Sequence, residues 1–70
     1  MIPFEMVGQG HVRISVHDLL GREIAVLVDG VRGPGPHEVE FDVGGLSTGI
    51  YFYRMVAFGG TVTRRMVVRE

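Results

Sequence analysis

The chain of 70 residues contains no cysteine, no lysine, no asparagine and no tryptophan. Without cysteine there are no disulfides, no thiolate nucleophiles and no zinc–thiolate sites, and the redox compartment cannot be read. Without asparagine there is no Asn-x-Ser/Thr acceptor, and without lysine there is no Gly-Lys-Ser/Thr phosphate loop. Seven arginines face eight acids, for a formal net charge of −1. That balance gives no basic excess to drive counterion release, so nucleic acid is not an expected partner. The longest apolar run is residues 24–28, far below the ~20 residues a membrane helix needs, and no basic-plus-apolar leader opens the chain. No transmembrane segment is expected. The lack of lysine and asparagine suits a GC-rich coding bias as well as it suits a hot environment.

The length bounds what remains. Seventy residues make one domain, spanning 1–70, with too small a core to line a cofactor pocket of several hundred Å³. Met1 runs directly into strand-like residues, which reads as an imposed boundary with further chain upstream.

What is present is alternation with a period of two. Val12, Ile14 and Val16 alternate with His11, Arg13, Ser15 and His17, the pattern of a half-buried strand. Ile2, Phe4 and Met6 alternate in the same way, with Pro3 placing that strand at an edge or at its own start. Asp18-Leu19-Leu20-Gly21-Arg22 predicts a turn in which Gly21 takes a positive φ. The β-branched run at 24–28 predicts a strand covered on both sides. The three glycines and two prolines of 30–36 predict a loop, followed by a strand over 37–42 and a glycine-rich connection over 43–49 pinned by Leu46. Strands over 50–58 and 61–69 are joined by Gly59-Gly60, a primed hairpin turn. That register places Tyr51, Tyr53, Met55 and Ala57 on one face with Val62, Arg64, Met66 and Val68, and sets Arg54 against Arg65. No segment holds a 3.6-residue period for more than a turn. The expected fold is all-β, a small immunoglobulin-like antiparallel sandwich of six to seven strands.

Catalytic and ligand-binding patterns are weak. His11 and His17 share a strand face but stand about 20 Å apart at ~3.3 Å per residue, so one metal cannot touch both. His37, with Glu38, Glu40 and Asp42 at alternate positions, could hold a cation or pair carboxylates. The plainer reading is the solvated side of a strand. Gly8-Gln9-Gly10 precedes a strand and not the helix N-terminus that binds phosphate. Ser15 and Ser47 lie in no nucleophile elbow. Tyr51, Phe52, Tyr53 and Phe58 could stack on a sugar if they faced solvent, but their areas suit a core. No catalytic residue, cofactor or metal is expected.

Four blocks, in order, carry a resemblance: Val12-Arg13-Ile14-Ser15-Val16-His17-Asp18-Leu19-Leu20-Gly21-Arg22-Glu23, Gly35-Pro36-His37-Glu38-Val39-Glu40-Phe41-Asp42, Gly45-Leu46-Ser47-Thr48-Gly49-Ile50-Tyr51-Phe52-Tyr53-Arg54, and Thr63-Arg64-Arg65-Met66-Val67-Val68. Together they resemble the type A C-terminal sorting domain of type IX secretion substrates, over nearly the whole chain. The resemblance implies an immunoglobulin-like sandwich at the end of a larger secreted protein, with no enzymatic activity of its own. It implies passage through the periplasm to the cell surface or outside, with the outer-membrane secretion machinery, a sortase-like peptidase and an upstream cargo domain of the same chain as partners.

Carried over by position, Gly21 is the turn glycine, Gly49 and Tyr51 form the Gly-x-Tyr block, and Leu46 anchors the loop. The last strand, Arg64, Arg65, Met66, Val67, Val68 and Arg69, would be read by the translocon. Arg65 and Arg69 stand where lysines are common, which keeps the charge and changes the donor geometry. The Asn-Pro segment usual before the first strand is absent, and His17 occupies a position where an aromatic is frequent, which implies a partly buried ring. The alternative is a carbohydrate-binding or surface-anchoring sandwich attached to a secreted hydrolase. The immunoglobulin-like domain of flagellar hook-capping proteins is similar around Gly49-Ile50-Tyr51-Phe52-Tyr53, but the tryptophan often found near position 42 is lacking.

Overall fold

A computed structural model describes residues 2–69. Six strands follow one another: β1 (Ile2–Met6), β2 (Gly10–His17), β3 (Glu23–Arg32), β4 (Gly35–Val39), β5 (Gly49–Ala57) and β6 (Gly60–Val68). They form two antiparallel sheets, a pair β1-β4 and a four-stranded sheet in the order β3-β2-β5-β6. The fold is the small all-β sandwich that the alternation predicts. Among the described residues no helix is long and apolar enough to cross a membrane.

The period of two fixes which side is inside. On the central strand β2, Val12, Ile14 and Val16 are fully buried, and they stand opposite Ala57, Met55 and Tyr53 of β5. Met6 from the small sheet and Val28 from β3 complete a core cluster with Val12 and Ile14, against which Phe4, Leu27, Val39, Met55 and Ala57 pack. Fully burying side chains of this kind contributes roughly 1.5–3 kcal/mol each.

The structure corrects the sequence reading at three places. The run 24–28 lies in an edge strand and is not covered on both faces. Ile24 and Val26 are 39% and 45% exposed. Two register shifts against β2, at Ile14/Ser15 and Val16/His17, skip Leu27 and Ile24. The first of these bulges lets the consecutive residues Leu27 and Val28 both reach the core, so the apolar run reflects a bulge and not two-sided cover. The predicted loop over 30–36 is also shorter, and the strand expected over 37–42 instead begins at Gly35 and ends at Val39, which leaves Glu40 and Asp42 outside it. Gly30, Val31 and Arg32 pair with Val12, His11 and Gly10, and only residues 33–34 separate β3 from β4.

The third correction concerns the β5–β6 hairpin. Its turn is Phe58-Gly59, with φ of 53° and 74°, and Ala57 pairs with Gly60. Both central residues take the left-handed values a primed turn needs, but one of them is a phenylalanine. The pairing moves by two residues, so the faces stand as predicted while the partners change. Arg54 lies opposite Thr63 and Arg65 opposite Phe52. The like-charge pair expected from Gly59-Gly60 does not form.

Candidate functional site

In the four-stranded sheet β6 has a neighbour on one side only. Its outward backbone groups form an open edge, a template for pairing with another chain. Along it, Arg64 and Arg65 are exposed, Met66 is half-buried, Val67 is exposed and Val68 is buried. Arg69 follows the strand, exposed. Met66 and Val68 thus hold the strand to the inner layer while Arg65 and Val67 point from the outer face. Arg64 lies on the inner side, where it borders a cleft of about 240 Å³ with Ile2, Phe4, Tyr53, Met55 and Val62.

Charge is divided unevenly across the fold. The ion pairs among the described residues use Arg13 with Glu23 and Asp29, Arg22 with Asp18, and His11 with Asp29. Arg54, Arg64, Arg65 and Arg69 take part in none of them, and β5 and β6 contain no acid. Among the described residues the carboxylates in no such pair, Glu5, Glu38, Glu40 and Asp42, sit on the small sheet or directly after it. The hairpin that ends in the open edge is therefore the basic part of a chain whose net charge is slightly negative.

The residues expected to have structural roles lie in or beside two connecting loops. Gly21 has φ of 83° in the β2–β3 turn. There the Asp18 carboxylate accepts hydrogen bonds from the backbone amides of Leu20 and Arg22, at 2.9 and 3.0 Å, and from Arg22 Nε at 2.8 Å. Burial pushes the Asp18 carboxyl up. The Arg22 backbone amide, the Arg22 guanidinium and the Leu20 amide outweigh that and hold it below its ordinary value. The sequence reading did not single out Asp18 or Arg22, although an Asp three residues before a turn glycine is the available signal.

His17 is a buried ring, as the resemblance implies. Its Nδ1 lies 3.3 Å from the Gly21 carbonyl and its Nε2 2.8 Å from Ser15 Oγ. A carbonyl only accepts, so Nδ1 donates to it while Nε2 bonds the Ser15 hydroxyl. The ring thereby ties the turn to β2.

At the other loop, Tyr51 donates its hydroxyl to the Ser47 carbonyl four residues upstream at 2.8 Å, and the Leu46 amide reaches the Val43 carbonyl at 3.0 Å. A tyrosine near the start of a strand that bonds back to its own upstream corner is a recurrent device of sandwiches. Gly49 opens β5 opposite Val68, and Leu46 in the loop before it is half-buried.

The remaining polar candidates are dispersed. His11 pairs with Asp29 at 2.8 Å. His37 bonds to the Gly33 carbonyl at 2.7 Å and stacks on Phe4. The Asp42 carboxylate accepts the Gly44 amide. Among the described residues no three His, Cys, Asp or Glu side chains come together as a metal site. Phe52 stands on the outer face across from Arg65, while Tyr51 and Tyr53 stand half-buried on the inner face. The aromatics do not share one solvent face, and nothing favours the sugar-binding alternative.

A family model described as "Secretion system C-terminal sorting domain" matches residues 1–69. No match was found among the curated proteins or among the solved structures.

Proposed function

The chain belongs to the family of secretion system C-terminal sorting domains, and from that premise we propose that the open edge of β6, flanked by Arg64, Arg65 and Arg69, is the element the translocon reads. The domain is a C-terminal sorting signal of the type IX route and directs its cargo through the periplasm to the cell surface or beyond. In our reading the whole of 1–70 is a single non-catalytic domain at the end of a larger protein. A sortase-like peptidase acts on that protein after export.

One observation carries the assignment of the edge. The strand is unpaired on its outer side, and its hairpin has arginines and no acids. A signal shared by unrelated cargoes is best read through main chain and charge, which a partner strand laid along β6 would do. Met66 and Val68 keep the strand in place during the encounter, and Val67 supplies an apolar contact on the outer face. Gly21, Leu46, Gly49 and Tyr51 act indirectly, by fixing the loops that frame the sheet.

The test is a reporter with a periplasmic leader at its front and this domain at its end, in hosts with and without a working translocon. Arg64→Glu with Arg69→Glu is expected to abolish translocon-dependent release while the melting midpoint holds, and Arg32→Glu at the opposite edge is expected to leave release intact. Normal release of the double variant refutes the assignment of the edge.

A further inference from the structure

The β2–β3 turn presents two leucines for which the fold has no use. Leu19 and Leu20 are 66% and 79% exposed, yet the turn beneath them is fixed. The Asp18 carboxylate holds the Leu20 and Arg22 amides, the Gly21 amide reaches the Asp18 carbonyl, and the buried His17 ring holds the Gly21 carbonyl. A rigid turn loses little conformational freedom when its tip is seated in a partner.

The surface continues from the tip onto the sheet. Leu19 borders a cleft of about 220 Å³ whose other walls include His17, Phe52, Arg54 and Thr63. Leu19 and Leu20 also line a second cleft, of about 240 Å³, that reaches Ile50 on β5. On the outer face Ile50 stands beside Val67, and Phe52 beside Arg65. Arg54 and Arg65 have no ion pair among the described residues. Glu23, whose carboxyl feels the charge of Arg54, is committed to Arg13 through two hydrogen bonds of 2.7 and 3.1 Å.

We propose that the Leu19–Leu20 tip and the outer face of β5 and β6 form a second docking surface, which meets the open edge at Arg65 and Val67, for a protein of the secretion machinery that offers an apolar pocket rimmed by carboxylates. The proposal rests on the sorting role. The two leucines are the anchors, and Arg54 and Arg65 pair with the rim and orient the encounter. Charge complementarity argues for a protein and against a lipid surface. Two free arginines, of which Arg54 shares a cleft with Asp18 and acts on the Glu23 carboxyl, give little pull toward an anionic bilayer, which rewards a cluster of cations.

The test uses a cargo protein carrying this domain, titrated against the purified outer-membrane type IX complex. Leu19→Ser with Leu20→Ser is expected to weaken binding at least about tenfold, with secretion falling in parallel and the melting midpoint unchanged. Arg54→Gln with Arg65→Gln is expected to slow association and flatten its salt dependence. Wild-type binding by the leucine variant overturns the proposal. So does binding of the wild type to phosphatidylglycerol vesicles that the same variant loses. A wild-type cargo that is neither bound nor secreted overturns the sorting role itself, and this proposal with it, which separates that failure from the other two.

Discussion

The ring of Phe58 lies on Gly10, close enough that a Cβ on Gly10 would stand 2.9 Å from Phe58 Cε1. The contact joins the start of β2 to the tip of the β5–β6 hairpin, 48 positions away in the chain. It accounts for a bulky residue in the left-handed region, which a turn alone does not favour.

Gly10→Ala is expected to cost about 1 kcal/mol, at the low end for overpacking because the ring is exposed enough to swing away. In a Phe58→Asn background, where the ring is gone and the turn is relaxed, the same change is expected to be neutral within ~0.5 kcal/mol. Denaturant unfolding of the four proteins measures the coupling. Equal costs in both backgrounds would show that the contact has no energetic part in holding the turn.

The two faces of the large sheet should respond differently to truncation. Ile14 is fully buried and Val67 is 52% exposed. Ile14→Ala is expected to destabilise by about 2–5 kcal/mol, and Val67→Ala by no more than ~0.5 kcal/mol. Thermal or denaturant unfolding checks both, and comparable losses at the two sites would mean that the outer face is covered.

Acid should loosen the β2–β3 turn and its flank. Asp18 lies below its ordinary value of 3.8 through the balance described above. Glu23 lies below 4.5, chiefly through its hydrogen bonds from Arg13, with burial opposing. Folded values below the unfolded ones mean a stabilisation present above the ordinary carboxylate range and lost as the pH falls through the folded values. The melting midpoint should therefore hold near neutrality and fall on acidification below roughly pH 4.5, the range where free carboxylates begin to protonate. Asp18→Asn keeps an acceptor for the two amides and removes the charge, so its decline should be shallower. An identical slope in the variant would remove Asp18 from the account.

Tyr51→Phe deletes only the hydroxyl that reaches the Ser47 carbonyl. A loss of roughly 0.5–1 kcal/mol is expected, since the bond is exposed and net contributions of this type are modest. Proteolysis within 43–49 should quicken if the bond tethers that loop, and an unchanged cleavage rate would say that Leu46 alone suffices.

These expectations separate what the chain spells out locally from what it does not. The alternation on β2 states its inner face at Val12, Ile14 and Val16 but not that Ser15 and His17 on the other face are buried as well, and the faces of β5 and β6 follow from the same parity. The hairpin partners did not follow, because Gly59-Gly60 advertises the easy turn, and the reason for Phe58-Gly59 is Gly10 on a distant strand. Residues 24–28 misled in the same way, since a bulge that brings Leu27 and Val28 inward together looks in sequence like a strand covered twice. The basic ending of the chain was visible. That β6 is an edge, and that Arg54 takes part in no ion pair among the described residues, depends on strand order and on Arg13 already holding Glu23, which are facts of topology.

The most direct measurement of the central claim is hydrogen exchange on the domain, free and bound to the purified outer-membrane translocon. If a partner strand is laid along β6, amides between Gly60 and Val68 that point away from β5 should slow on binding, while those on the outer side of β3 exchange as before. Unchanged exchange along β6 in a complex that still forms would contradict recognition at that edge.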